Sequence, residues 1–488
     1  MNIVIVGGGT AGWLAAFYIL KAKPQYSVTV IESSKIGIIG AGEGGTHILG
    51  SVLNNSDIDY GIDIREFIEV TDATPKQGVR HENWSCAGSE YFNPLDLNFG
   101  DNPDISDRLA YLLANDQPIH TVSELGMFLD QERSLIKKGK FAMANIPGFS
   151  YHFDGAKVGK FFKNKVLEMK GNLFDLEVKT VVLDDTGKIS SLVMSDDSNI
   201  TGDFFIDCTG FARVLMSRLD SKWISYSEHL LMNSAMPFLL EYIPPIWPAP
   251  YTLSRALSSG WMWQIPTAKR FGCGYVFCDK FLSFEQAQEE IETMLGHPIT
   301  PVKQIKFDSG RLDKFWNQNC LALGLASAFV EPLEATSIHA TVIQIEKLVH
   351  CLDNNDSSKY NIEIGEMYDE IKDYILLHYL GGRTGTPFWD YINTHDISNE
   401  FVRKIIAISK TRFLTKDDIP NKENSIGHHA WNQILAGLGF ISKQVAMEHI
   451  AGREDKIKEE FEQWKNVQIE KTDECKTNIE IILDGYFK

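Results

Sequence analysis

The chain opens on an unbroken apolar run, Asn2 to Val6, then a glycine-rich turn, Gly7 to Gly12, then a second apolar segment from Trp13 to Lys21. A short β-branched run reads as a buried strand, the glycines as a tight turn, and the longer run as a helix. "SVTVIE" follows and ends in Glu32, which completes a βαβ opening. Two later stretches repeat the pattern of an apolar strand running through small residues toward a helix, at 202–215 and 317–352. They predict strands that return to the sheet begun at the N-terminus. Residues 172 to 208 alternate in hydropathy, with turn residues at Asp185-Thr186-Gly187 and Asp196 to Asn199, and predict a small antiparallel meander. In "SGWMWQIPTA" (259–268) Trp261 and Trp263 stand two apart, so on a strand both indoles face one side. Core packing and a functional role are both open for that pair. After residue 350 the period becomes helical, and Arg453 to Lys476 reads as a solvated helix face and connector.

This pattern predicts an α/β fold with a Rossmann-type first domain. Residues 1–350 are expected to form the cofactor-binding core, with an inserted sheet at about 225–310, and 351–488 a mainly helical substrate module. Composition narrows the partners. Asp and Glu outnumber Lys and Arg by 65 to 47, and no basic run is long enough to track a phosphate backbone, which argues against nucleic acid. No apolar stretch reaches the ~18 residues of a membrane span, and the chain starts on a strand, so a cytoplasmic protein is expected. The seven cysteines are scattered with no C-x-x-C pair, so no disulfide framework and no metal site is expected.

The glycine turn carries the first chemistry. Gly7, Gly9 and Gly12 fit G-x-G-x-x-G between a strand and a helix, and Glu32 stands twenty residues beyond the last glycine. Glycines allow backbone to approach a pyrophosphate, the helix N-terminus faces its charge, and the acid accepts from ribose hydroxyls. A dinucleotide is expected. FAD is preferred to NAD because "DFFIDCTGFA" resembles the second contact strand of flavin enzymes, with Asp207 before a small-residue turn.

Six stretches together resemble the flavin-dependent halogenases of the tryptophan halogenase family: "GGGTAGW" (7–13), "AGEGGTHIL" (41–49), "TDATPKQGVRHENW" (71–84), "WMWQIP" (261–266), "FVEPLEATSIH" (329–339) and, more weakly, "HYLGGRTGTPFW" (378–389). The resemblance runs from residue 1 to about 440. It implies an oxidoreductase in which reduced FAD, O2 and a halide yield hypohalous acid, which crosses the protein interior to an electron-rich aromatic substrate. A separate flavin reductase is implied as partner, and a homo-oligomer is left open. The resemblance adds Thr10, Ala11, Gly42, Glu43 and Leu325 to the cofactor contacts and makes residues 37 to 48 a flavin-covering strap. Glu43 steers the cofactor or caps the next helix.

Lys76 resembles the family's essential lysine. As an ammonium it donates to hypohalous acid; as a neutral amine it forms a haloamine; sequence leaves both routes open. Glu334 resembles the essential glutamate, which stabilises and deprotonates the cationic arene intermediate, unless it caps the helix behind it. Thr336 and Ser337 offer free helix-start amides to the halide. Trp261 and Trp263 become gatekeepers that keep the substrate away from the flavin.

The substrate pocket departs from the family pattern. Where tryptophan-specific members carry His-Pro-Phe, this chain has Asn93 and Leu95 in "YFNPL", so tryptophan specificity is not expected and an indole or phenol is. His428, His429 and Trp431 fit a pocket wall or a buried helix equally well. Two competing readings remain: a single-component flavin monooxygenase, and a non-catalytic flavin-binding protein.

Overall fold

The computed structural model describes residues 1–37, 43–53, 60–98, 102, 104–138, 148–242, 249–354, 356–419, 426–478 and 480–481, with backbone alone for Glu43 and Asn98. The opening pattern folds as read. Asn2–Val6 and Ser27–Glu32 are parallel neighbours joined by the helix Thr10–Ala22, and Phe204–Asp207 lies parallel on the other side of Asn2–Val6. Cys320–Ala322 extends the sheet beyond Phe204–Asp207 and Asn172–Asp175 closes it beyond Ser27–Glu32. Distant strands thus meet in one Rossmann-type sheet, whose strand ends gather the loops after Val6, Asp207 and Ala322. The helices Gly155–Glu168 and Thr336–Leu352 both pack on Thr10–Ala22.

The 172–208 stretch divides between sheets. Its middle forms the expected antiparallel set, Val178–Leu183, Ile189–Met194 and Asn199–Ile200, whereas its two ends join the parallel sheet. Alternation reports the faces of a strand and not its partner, which is why the ends were misread.

A seven-stranded sheet forms the second layer, in the order Ile305–Lys306, Ser234–Glu241, Arg270–Phe277, Gly260–Pro266, Tyr251–Leu257, Gly78–Glu82, Glu90–Pro94. The sheet expected from about 225 to 310 therefore also takes in two strands from the first hundred residues. Gly260–Pro266 sits inside it and separates two cores: Trp261 faces the main one, while Met262 faces a smaller one closed by the helix Phe284–Leu295. The helices after residue 350 return to early segments. Lys443–Ile450 packs on Asp104–Ala114, and the strand Cys475–Thr477 pairs with Arg133–Lys137. No helix among the described residues is long and apolar enough to cross a membrane.

Candidate active site

Gly7 has φ 117°, and a Cβ there would stand 2.2 Å from the carbonyl oxygen of Cys208. The turn therefore requires glycine, and it holds the Val6 and Asp207 strand ends together. A Cβ on Gly9, by contrast, meets nothing within 4 Å, so the backbone at the start of the Thr10–Ala22 helix borders open space. Thr10, Ala11 and Gly12 form the first turn of that helix. This cradle, with its helix N-terminus, fits a dinucleotide pyrophosphate. Glu32 is held at the end of its strand by Trp13 Nε1, which donates to Oε2 at 3.1 Å, and by an ion pair with Lys163. Asp207 accepts four hydrogen bonds from its own turn, from Thr209 N and Oγ1 and from the amides of Leu215 and Met216. Its side chain shapes the cofactor loop through the backbone. Leu325 lies in the single turn Gly324–Ala326 after Cys320–Ala322. Gly42 and the Glu43 side chain lie outside the described residues.

Lys76 ends the short strand Thr74–Lys76, which pairs with Ser150–Phe153, itself paired with Glu43–Gly44. Its side chain is fully buried, and Nζ has no hydrogen-bond partner among the described residues. A Cβ on Gly44 would stand 3.3 Å from that Nζ, so Gly44 lies directly against the lysine. Burial pulls the Lys76 ammonium down to about 8, against the opposing pull of Glu334. The neighbouring His152 is kept neutral by burial and by Lys76, with its ring nitrogens against the hydroxyls of Thr252 and Thr74.

Glu334 precedes Ala335, whose left-handed backbone (φ 56°, ψ 32°) turns the chain into the helix Thr336–Leu352. Among the described residues no side chain caps that helix, so Glu334 does not cap it and the amides of the first turn, at Thr336 and Ser337, have no side-chain partner there. The carboxylate instead reaches across to the seven-stranded sheet. Asn93 Nδ2 donates to its Oε2 at 3.0 Å and to the Tyr374 hydroxyl at 3.0 Å. Its Oε1 stands 2.8 Å from His81 Nε2 and 3.2 Å from His378 Nε2. Burial alone would raise the Glu334 carboxyl; the imidazoles of His81 and His378 outweigh it and hold the group well below the usual carboxylate range. His378 is itself brought down to about 4 by burial and meets the Tyr91 hydroxyl through Nδ1 at 2.6 Å.

Trp261 and Trp263 share one side of their strand, with ring centroids 6.2 Å apart. Trp261 Nε1 donates to Glu331 Oε2 at 2.7 Å, and the Tyr379 hydroxyl donates to the same oxygen. Burial pushes Glu331 up to about 7 despite those two donors. Trp263 lies over Gly274, its cross-strand partner, where a Cβ would stand 2.0 Å from the indole. Leu95 is buried, and Trp431 packs edge-on against Tyr374, 4.9 Å between centroids, so the helix His428–Gly437 backs the wall behind Asn93.

Sequence reasoning missed His81, His378 and Gly274 as parts of this site. His81 and His378 lie inside two quoted motifs, "RHENW" and "HYLGG", and a buried imidazole there was the available signal. An open surface cavity of about 580 Å³, lined by Glu82, Arg255, Glu290 and Arg383 among others, lies off this interior. Glu82 and Arg255 pair with each other there, and Glu290 accepts from Ser258.

Known proteins match the chain over most of its length. A tryptophan halogenase family profile matches residues 2–452. The tryptophan 6-halogenase of Streptomyces toxytricini is 31% identical over 490 residues, covering 90% of each chain. The 7-chloro-L-tryptophan 6-halogenase of a Kutzneria species is 31% identical over 480 residues, again 90% of each. The crystal structure of the Streptomyces toxytricini enzyme superposes with a TM-score of 0.90 over 99% of both chains at 27% identity. With the glycine cradle, the tryptophan pair and a buried lysine and glutamate in one interior, the chain belongs to the tryptophan halogenase family, flavin-dependent oxidoreductases that halogenate aromatic substrates with reduced flavin from a separate reductase.

Proposed function

We propose that this chain halogenates an uncharged, electron-rich aromatic ring of the indole or phenol type, with Lys76 activating hypohalous acid and Glu334 accepting the ring proton. The observation that carries the reading is the pairing of a fully buried, unpartnered Lys76 Nζ with a buried Glu334 held ionised in the same interior. Bound reduced FAD supplies, with O2 and a halide, the hypohalous acid. The residues of the glycine cradle would hold the cofactor, and the uncapped amides at Thr336 and Ser337 would hold the halide.

With its pKa near 8, Lys76 is mostly an ammonium at neutral pH, which supports donation to the oxidant's oxygen over formation of a haloamine. Nζ–H polarises the O–halogen bond. The ring carbon attacks the halogen, a C–halogen bond forms as the O–halogen bond breaks, and the departing hydroxide takes a proton from the Lys76 ammonium and leaves as water. Glu334 stabilises the cationic ring and then removes the proton from the halogenated carbon. Asn93 keeps one carboxylate oxygen fixed while this happens. Trp261, tied to Glu331, and Trp263, seated on Gly274, support a barrier that excludes the organic substrate from the flavin.

The test supplies FAD, a reductase, O2 and halide, and follows indole and phenol products by mass spectrometry. Lys76→Ala is expected to bind FAD and consume oxygen without halogenated product. Glu334→Gln is expected to lower turnover by ~10²–10⁴-fold, the range of general-base loss, with substrate affinity changed less. Halide-independent hydroxylation would overturn the reading in favour of a monooxygenase, and near wild-type product from Lys76→Ala would remove Lys76 from the chemistry.

A further inference from the structure

His81, Glu334 and His378 come from a strand, a loop and a helix far apart in sequence, and each presents one ligand atom within 4.8 Å of the other two, all buried. His81 Nε2, His378 Nε2 and Glu334 Oε1 are close enough to be paired, at 2.8 and 3.2 Å, yet none of the three makes an aligned hydrogen bond among the described residues. With the proton of each imidazole on Nδ1, a single cation between the three atoms would take one lone pair from each. Around a tetrahedral zinc with ligand bonds near 2.1 Å, neighbouring ligand atoms stand about 3.4 Å apart, so the two contacts of Glu334 Oε1 would open by roughly 0.6 and 0.2 Å.

The surroundings complete the arrangement. A histidine that binds metal through Nε2 normally donates Nδ1–H to a neighbour, and His378 Nδ1 faces the Tyr91 hydroxyl at 2.6 Å. A ligating carboxylate is normally held through its other oxygen, and Asn93 Nδ2 donates to Glu334 Oε2. The His81 ring is fixed by stacking on Tyr91, 4.6 Å between centroids at 16°. Two imidazoles and one carboxylate select a zinc-class cation over magnesium or calcium.

We propose that His81, Glu334 and His378 form a three-ligand site for a zinc-class divalent cation which, when filled, withholds Glu334 from the reaction. The inhibitory part rests on the role given to Glu334 under Proposed function; the binding part does not. A cation on Oε1 occupies a lone pair that would otherwise face the ring proton. The cysteine spacing gave no hint of such a site because its ligands share no linear motif.

The test uses the full chain with Co²⁺ as a spectroscopic probe and Zn²⁺ in calorimetry. Wild type is expected to bind one cation per chain and to show the visible d–d bands of a four-coordinate nitrogen and oxygen site, without the thiolate charge-transfer band that the exposed Cys86 would give. His81→Phe and His378→Gln are each expected to weaken binding at least tenfold, and Mg²⁺ is expected to have no effect. Zn²⁺ is expected to stop halogenation by wild type, a chelator to restore it, and whatever turnover His81→Phe retains to ignore zinc. No d–d bands, a thiolate band, or binding undiminished in both variants overturns the site. Should either variant fail to fold, the wild-type spectrum and stoichiometry still decide. Binding with halogenation unaffected keeps the site, overturns the inhibition and strikes the role of Glu334.

Discussion

A fully buried lysine whose Nζ has no hydrogen-bond partner among the described residues costs the fold stability. The depression of Lys76 from 10.5 to about 8 corresponds to about 3 kcal/mol of destabilisation at neutral pH. The sign follows from proton binding: between pH 8 and 10.5 the unfolded chain holds the proton more strongly, so stability rises with pH through that window. Lys76→Met is therefore expected to be more stable than wild type below pH 8 by roughly 2–3 kcal/mol in denaturant melts, with the difference shrinking toward pH 10.5. A gap that stays constant across that range would mean that packing and not charge sets it. Lys76 and Glu334 could be singled out in the sequence because each sits in a recognisable local run, and the fold buries both. The role of Asn93 was not: it was read as a missing aromatic clamp, whereas its amide holds Glu334 and Tyr374. Convergence of residues 81, 93, 334 and 378 exists only after folding.

Strands and helices were legible where their pattern is local, and pairings were not. The tryptophan strand shows both. Its alternation placed the two indoles on one side, but nothing in "WMWQIP" shows that Trp263 needs a glycine opposite it. Gly274 supplies that slot, and Gly274→Ala forces the indole or the strand to move. The expected cost is ~1–3 kcal/mol, as for other overpacked sites, with altered tryptophan fluorescence; an unchanged Tm and spectrum would mean that the ring is free to relocate. The helix behind the proposed halide site carries a second signature. His339 lies on it, against the Thr46 hydroxyl at 2.9 Å and 5.4 Å from the ring of His47 in the helix His47–Leu53. Burial brings His339 down to about 4 and His47 to about 3, so the fold keeps both neutral while the unfolded chain protonates them below about 6.5. Their contribution to stability is complete above that value and is lost as pH falls toward 4. Denaturant melts from pH 7 to 4 are expected to show this decline, and His339→Gln to flatten it; an equal slope in the variant would assign the proton uptake elsewhere.

At the scale of the whole molecule, the first sheet and an inserted sheet at about 225–310 were readable, but not that Gly78–Glu82 and Glu90–Pro94 join the latter from far along the chain. That long-range pairing decides which side chains face Glu334. On Gly78–Glu82 and its partner strand, His81 and Asn93 turn inward to Glu334, while the charged residues are spent elsewhere: Arg80 pairs with Glu90 and Glu82, and Glu82 with Arg255. Around Glu334 the described walls are otherwise Tyr91, Tyr374 and His378, which offer hydroxyls and an imidazole but no fixed ion for a carboxylate or an ammonium. A zwitterionic amino acid would enter with two charges to desolvate and only Lys76 and Glu334, already committed to the reaction, to meet them. With Asn93 and Leu95 in place of an aromatic clamp, the roughly 0.5–1.5 kcal/mol of each stacking contact is also absent. Neutral indoles or substituted phenols are therefore expected to show higher kcat/KM than free L-tryptophan, with halogen at the electronically favoured ring position. Steady-state kinetics on matched substrates, with products located by NMR, decide it: efficient, regioselective turnover of L-tryptophan at a deactivated benzo position would mean that other residues rebuild both the clamp and the ion pairs.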